Sequence, residues 1–225
     1  LFETDDAFAA FGEEAYRSLA GGASFTATLM MVHADGSSFW CELTGSAVNP
    51  RYPRESSIWI FTDVTERKMA EERAKFLSYH DALTGLPNQL LLQDRLQQAI
   101  AFSNRMGTKV ALMVLDIDRF KVINDLFGEE TGNRLLRYIA YFLRHIELQD
   151  YVAGRLHTDN FILCYPARSD LRSHMLNSLR MLAGSFSLDY RVSFSIGVYR
   201  ITDRSLSISS MCDRALIAMG QAQSN

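Results

Sequence analysis

Residues 115–125 read LDIDRFKVIND, and they connect an apolar run to a group of acids. The residues before them, 110–115, are all apolar, which is typical of a strand buried on both faces. Asp116 and Asp118 therefore follow a buried strand, where carboxylates can hold a hard cation together with a phosphate group. An acid pair at such a place can equally serve as the N-cap of a following helix. This stretch alone leaves both interpretations open.

Helical and strand-like segments alternate around this stretch. We predict helices at residues 90–103, 135–146, 171–182 and 208–221. We predict further strands at residues 151–156, 161–165 and 192–198, with a four-residue turn at 157–160 that makes the first two a hairpin. The pattern indicates an α/β (α+β) domain over residues 81–225, in which helices flank a central sheet.

The first 66 residues follow a different pattern. Residues 6–19 have helical spacing and end at a glycine pair, and three strand-like runs follow at 25–32, 39–48 and 58–64. Short turns separate these runs, which predicts an antiparallel β-meander. Residues 67–80 are charged and helix-prone, and we interpret them as a linker helix between two domains.

Composition and charge exclude several classes of function. The formal net charge of −3 gives no basis for binding nucleic acid, because binding to a phosphate backbone needs concentrated Lys and Arg. No apolar run is long enough to span a bilayer, so we expect no membrane contact within the chain and a cytoplasmic location. The three cysteines lack metal-site spacing and are expected to be free. The chain begins with Leu1, which suggests a piece of a longer protein that can be membrane-anchored elsewhere.

Three motifs in the second half carry a family resemblance. DALTGLPN occupies residues 81–88, the pattern D-x-D-x-F-K-x-x-N-D occupies 116–125, and SIGV occupies 195–198. In this order and at these separations they resemble the GGDEF family, which has a nucleotidyl-cyclase-like fold. Active members are bacterial homodimeric diguanylate cyclases, which condense two GTP into cyclic di-GMP with Mg²⁺ or Mn²⁺.

The same resemblance implies roles for individual residues. It implies that Asp116, Asp159 and the backbone of Ile117 are metal ligands where that function is retained. It also implies nucleotide contacts at the positions of Lys121, Asn124 and Asn133.

The family signature is degenerate in this chain. It reads HTDNF, in which His157 and Thr158 replace two glycines, Asp159 is kept, Asn160 replaces a glutamate, and Phe161 is kept. Side chains at the glycine positions restrict the backbone and its approach to a nucleotide. Asn160 is neutral, so it supplies neither a base nor a negative charge. We therefore expect none of the five signature residues to be catalytic.

Three further departures point in the same direction. Asn133 stands where the family has an acid that reads guanine, and Gly220 stands where it has a lysine that contacts phosphate. Residues 147–150 lack the arginine of the family's R-x-x-D product-inhibition site.

The first half resembles the end of a PAS domain. A DG-x-x-x-W hairpin at residues 35–40 and the exit DVTERK at 63–68 carry this resemblance. It covers the last helix and three strands of that fold, so the PAS ligand is unknown.

The sequence leaves three functional hypotheses open. The first is a GGDEF domain without catalytic activity that senses GTP or dimerises between a PAS sensor and an EAL phosphodiesterase output. The second is an active diguanylate cyclase with an unusual signature, because Asp116, Asp159 and Asn124 remain. The third is a pure dimerisation module. His157 is either a replacement metal ligand or a solvated turn residue, and Lys121 either contacts phosphate or is solvated.

Overall fold

The computed structural model describes residues 5–145, 151–167, 169–186 and 190–223. Its internal contacts divide the chain into two compact units, residues 1–75 and 76–225. The expectation for the product-inhibition site, at residues 147–150, lies outside the described residues. Within the described part of the chain, no helix is both long and apolar enough to cross a membrane.

The first unit is a three-stranded antiparallel sheet with one helix packed on it. Its elements are α1 (Asp5–Ala20), β1 (Phe25–Val32), β2 (Ser38–Ala47), β3 (Ser57–Asp63) and the first part of α2 (Thr65–Tyr79). The strands pair in chain order, so the antiparallel meander is confirmed, while its PAS identity stays a prediction. Met31, Cys41 and Leu43 form its buried core, and Phe11 of α1 packs against them.

The second unit has a four-stranded sheet between two groups of helices. Its elements after α2 are α3 (Gln89–Arg105), β4 (Val110–Ile117), α4 (Phe120–Phe127), α5 (Glu129–Arg144), β5 (Val152–His157), β6 (Asn160–Pro166), α6 (Ser169–Ser185), β7 (Phe194–Arg200) and α7 (Ile208–Gln223). The strand order is β5-β6-β4-β7, and every neighbouring pair is antiparallel. The predicted central sheet flanked by helices is therefore confirmed.

Strand β4 is buried on both faces because it separates two hydrophobic cores. Met113 and Leu115 face one core, which includes Leu135 and Ile139 of α5. Leu112 and Val114 face the other core, which α3 and α7 complete. A strand with apolar neighbours on both faces has no polar alternation, and this explains the uninterrupted apolar run in the sequence.

Helix α7 packs unusually close to β7. A methyl group at Gly197 would overlap the carbonyl oxygen of Ala215, and it would also lie 2.8 Å from the β-carbon of Met219. The glycine of the SIGV motif is therefore required by packing.

The predicted four-residue turn of the hairpin is wrong. His157 and Asn160 are paired across β5 and β6, so only Thr158 and Asp159 form the turn. An irregularity in the register between Arg155 and His157 permits this tighter connection.

Candidate functional site

The register of the sheet brings the polar residues of the site together. Asp116 near the end of β4 lies opposite Asn160 of β6 on one side and opposite Ser195 of β7 on the other. Since these neighbours are antiparallel, the carboxyl end of β4 does not lie beside the carboxyl ends of β6 and β7. The β5–β6 turn meets the end of β4 instead, and this brings Asp159 close to Asp116.

The amide group of Asn160 connects the two carboxylates. Its Nδ2 atom lies 3.0 Å from Oδ1 of Asp116 and 3.3 Å from Oδ1 of Asp159. Ionised carboxylates only accept hydrogen bonds, so the donor side of the amide faces them. The residue that replaces the signature glutamate thus hydrogen-bonds both remaining acids of the predicted metal site.

The carboxyl group of Asp116 is held in an unfavourable environment for its charge. Its pKa is raised to about 6, first by burial and then by the charges of Asp159 and Asp118, while the hydrogen bond from Asn160 opposes the rise. No basic side chain of the described residues is among these influences. The site therefore carries a local excess of negative charge.

Asp118 holds the turn that follows β4. Its carboxylate accepts hydrogen bonds from the hydroxyls of Ser193, at 2.7 Å, and Ser195, while its own backbone N–H donates to the carbonyl of Ser193. No side chain caps α4 in the described structure, so the helix N-cap interpretation of the acid pair is wrong. Arg119 has a left-handed backbone, with a φ of 55°, which carries the chain from β4 into α4.

The signature turn exposes its first two side chains. His157 and Thr158 are exposed, Asp159 and Asn160 are half-buried, and Phe161 is buried in the core. Among the described residues, no group of three or more His, Cys, Asp or Glu side chains has the geometry to hold a metal ion. The replacement-ligand hypothesis for His157 therefore gains no support.

The residues expected to contact nucleotide lie on α4 and α5. Lys121 is exposed, and the amide oxygen of Asn124 is buried with no hydrogen-bond partner in the described structure. That oxygen lies against Gly132, where any β-carbon would overlap it. The side chain of Asn133 instead lies near Glu130, where it contributes to lowering the pKa of that carboxyl.

The structure also places two other positions that the sequence analysis singled out. Ile117 is the last residue of β4, and its side chain is buried in the core. Gly220 is exposed on α7, with open space where a side chain would begin.

The sequence did not reveal an ion pair that fixes the hairpin. Nη1 of Arg155 lies 2.8 Å from Oδ1 of Asp81, and Nη2 of the same arginine donates to the carbonyl of Thr158 in the turn. The same Asp81 oxygen also accepts hydrogen bonds from the backbone and hydroxyl of Thr84. Burial alone would raise the pKa of Asp81, but the hydrogen bonds from Thr84 and Arg155 outweigh it and leave the pKa lowered.

This ion pair joins the first family motif to the signature hairpin. The two residues are 74 positions apart in the chain, so no local pattern relates them. In the sequence, the only indication of a role for Asp81 is its place at the start of the 81–88 motif.

Two clefts border the site. One, of about 560 Å³, lies between the 81–88 loop and the hairpin, and its lining includes Asn88, Arg155 and His157. The other, of about 680 Å³, borders Asp116 and Asp118 on the β7 side, where Ser195 also lines it.

Comparison with known proteins gives the family. Residues 78–225 match the family model described as diguanylate cyclase, GGDEF domain. The cyclic di-GMP phosphodiesterase PdeR of Escherichia coli K12 is 31% identical over 140 residues, which are 62% of this chain and 20% of PdeR. MucR of Pseudomonas aeruginosa, a bifunctional diguanylate cyclase and cyclic di-GMP phosphodiesterase, is 36% identical over 128 residues, which are 54% of this chain and 18% of MucR.

A solved structure of a GGDEF domain is also similar to this chain. The coiled coil and GGDEF domain of DgcB from Caulobacter crescentus, in complex with cyclic di-GMP, superposes with a TM-score of 0.58 at 26% identity. The match covers 71% of this chain and 88% of the DgcB chain. The matched part of this chain spans about a fifth of the length of PdeR and of MucR. Because the family model covers more than half of its residues, the chain belongs to the GGDEF family of cyclic di-GMP signalling domains.

Proposed function

We propose that this chain is a catalytically silent GGDEF domain that regulates a cyclic di-GMP phosphodiesterase. In this proposal it lies between a PAS-like sensor and an EAL-type output domain in a bacterial cytoplasmic protein. The observation that carries the proposal is the contact of Asn160 with both Asp116 and Asp159.

The chemistry of cyclic di-GMP synthesis explains why this contact matters. The reaction joins the ribose 3′-hydroxyl of one GTP to the α-phosphate of another, so negative charge on the phosphates must be neutralised and a hydroxyl must lose its proton. Asn160 can accept no proton, and its amide hydrogens repel a cation from the carboxylates that it contacts. The residues present therefore do not fit a centre for Mg²⁺ or Mn²⁺.

The turn itself adds a second obstacle. His157 and Thr158 place side chains where the family has glycines, so the backbone cannot be approached as closely. Removing one electrostatic contributor from an active site commonly lowers the rate by about a hundredfold or more. Loss of the glutamate, both glycines and the lysine position together supports a domain without measurable cyclase activity.

A retained nucleotide site would make the domain a GTP sensor. The buried amide oxygen of Asn124 has no partner among the described residues, and the N–H groups of a guanine edge are suitable donors for it. Lys121 is exposed on the same helix and is available to a phosphate group. These two residues are the basis for proposing GTP as the regulatory ligand.

Helix α2 supports the proposal of a homodimer. No described residue of this helix is buried, and Met69 and Phe76 are exposed seven positions apart, which puts them on one face. Pairing with a second copy of α2 would bury both side chains.

The active cyclase remains a second candidate for one reason. Asp116 and Asp159 are still close enough to share one hydrogen-bonding partner. A substrate-bound state in which Asn160 turns away would free both carboxylates.

The hydrolysis of cyclic di-GMP by the parent protein tests the proposed regulation. We expect GTP to change the rate of hydrolysis in the wild type but not in Asn124→Ala, with the exposed change Arg137→Ala as a control that still responds. A parent protein with no phosphodiesterase activity would contradict the proposal. A normal phosphodiesterase that ignores GTP would leave only the dimerisation role.

A further inference from the structure

The two carboxylates beside the hairpin have one shared donor. Each of the two N–H bonds of the Asn160 amide is available to one acceptor, and Asp116 and Asp159 supply these acceptors at 3.0 and 3.3 Å. Because Asn160 lies directly opposite Asp116 in the sheet, the position of its side chain is set by the backbone register. The amide is thus held in place between the carboxylates.

Within the part of the chain that the structure describes, no basic side chain neutralises these two groups. Among the described residues, neither Asp116 nor Asp159 forms an ion pair with a basic side chain. The third nearby acid, Asp118, has its own donors in the hydroxyls of Ser193 and Ser195. The arrangement of Asp116 and Asp159 therefore depends on Asn160.

Carboxylates that lie this close in a half-buried site need a positive or donor group between them. A hard divalent cation meets this need by collecting several oxygen ligands. Asn160 instead places two polarised N–H bonds between the carboxylates. A cation could enter the site only after the amide had moved away.

We propose that the amide of Asn160 is a built-in substitute for a divalent cation, which fixes the signature hairpin to β4 and closes this site to metal. The inference deepens the proposed catalytically silent function and rests on it. It assigns a specific positioning role to the residue that replaces the signature glutamate, beyond the loss of a ligand.

The substitution Asn160→Asp gives a sharp test because aspartate has almost the same shape as asparagine. The change removes both N–H donors and adds a third carboxylate, so the site should now attract a cation. Titration with Mn²⁺ in the absence of nucleotide, followed by electron paramagnetic resonance of the free ion, measures binding without any reference to cyclase activity.

We expect the wild type to bind no Mn²⁺ at this site at millimolar concentration, and Asn160→Asp to bind about one equivalent. Adding Asp116→Asn to that variant should abolish the new binding. Asn49→Asp, which makes the same charge change at an exposed asparagine of the first unit, should bind as the wild type does. The melting temperature of Asn160→Asp alone should rise with Mn²⁺, because a ligand that binds only the folded state stabilises it.

Two results would overturn the inference. One is binding of an equivalent of Mn²⁺ by the wild type that Asp116→Asn removes, and the other is no gain of binding in folded Asn160→Asp. If circular dichroism shows that Asn160→Asp does not fold, Asn160→Ala takes its place, since removal of the donors alone should also raise Mn²⁺ binding above the wild type. Formation of cyclic di-GMP by the wild type is a separate result, which would contradict the proposed function even if the metal titration came out as expected.

Discussion

Replacing Arg155 by alanine breaks the connection between the hairpin turn and the 81–88 loop. The guanidinium donates one hydrogen bond to the Asp81 carboxylate and one to the Thr158 carbonyl, and only 11% of its side chain is exposed. A hydrogen bond to a charged group contributes about 1.5–3 kcal/mol and a neutral one about 1 kcal/mol. In the variant, the Asp81 side chain is 26% exposed and keeps both of its hydrogen bonds from Thr84. The free energy lost is therefore smaller than the sum of the two hydrogen-bond contributions. We expect the second unit to lose about 2–3 kcal/mol of unfolding free energy.

This loss corresponds to a fall in melting temperature of roughly 5–10 °C, since one kcal/mol shifts a domain of this size by about 2–4 °C. The two tryptophans, Trp40 and Trp59, both lie in the first unit, so their fluorescence does not follow the second unit. Differential scanning calorimetry of the whole chain detects both transitions. Arg137→Ala is a matched control, because its ion pair with Glu130 is exposed and should contribute less than about 1 kcal/mol.

The effect of Arg155→Ala should depend on pH in a defined direction. The folded state lowers the pKa of Asp81, so its ionised form contributes stability above the unfolded pKa of about 3.9. That contribution is lost as the pH falls through the folded pKa. The difference between wild type and variant should therefore shrink below about pH 4. A melting temperature within about 1 °C of the wild type at neutral pH would refute the proposed role of the ion pair.

Three further changes have expected outcomes. The pKa of Asp116 is raised to about 6, so the unfolded chain releases this proton first, and the folded state loses stability as the pH rises from about 3.9 to about 6. After a reduction for solvent screening, urea unfolding should find Asp116→Asn more stable than the wild type by about 1–2 kcal/mol at neutral pH, and the difference should disappear below about pH 4. Gly197→Ala should cost about 3 kcal/mol or prevent folding in calorimetry, because its methyl group would overlap the Ala215 carbonyl. Asn88→Ala should cost about 1 kcal/mol in the same measurement, since the Asn88 side chain accepts from two backbone amides in the first turn of α3.

The sheet could be predicted from the sequence because its central strand begins with six consecutive apolar residues. Residues 110–115 have neighbours on both faces, and such a run predicts a buried strand without any knowledge of its partners. The antiparallel direction of the neighbouring strands could not be predicted from the sequence, because it depends on which strands pair across the fold.

The hairpin turn shows a limit of local reasoning. Composition marks residues 157–160 as turn-like, but the pairing of His157 with Asn160 reduces the turn to two residues. The register irregularity before His157 sets the length of the turn, and the residue types there do not predict it. The consequence is large, because the same register directs Asn160 toward Asp116.

The candidate site was predicted as a set of residues but not as a set of contacts. The sequence identified Asp116, Asp159 and Asn160, and it identified the neutral charge of Asn160 as a loss. Only the fold reveals that this side chain bonds both acids. The partnership of Asp81 and Arg155 was missed for the same reason, since it joins two residues that are far apart in the chain.

Incubation of the purified chain with GTP and either Mg²⁺ or Mn²⁺, followed by chromatography of the nucleotides, asks directly whether this domain synthesises cyclic di-GMP. With Asn160 bonded to Asp116 and Asp159, we expect no product above the level formed without protein. Clear formation of cyclic di-GMP by the wild type that is lost in Asp116→Asn would contradict the catalytically silent assignment.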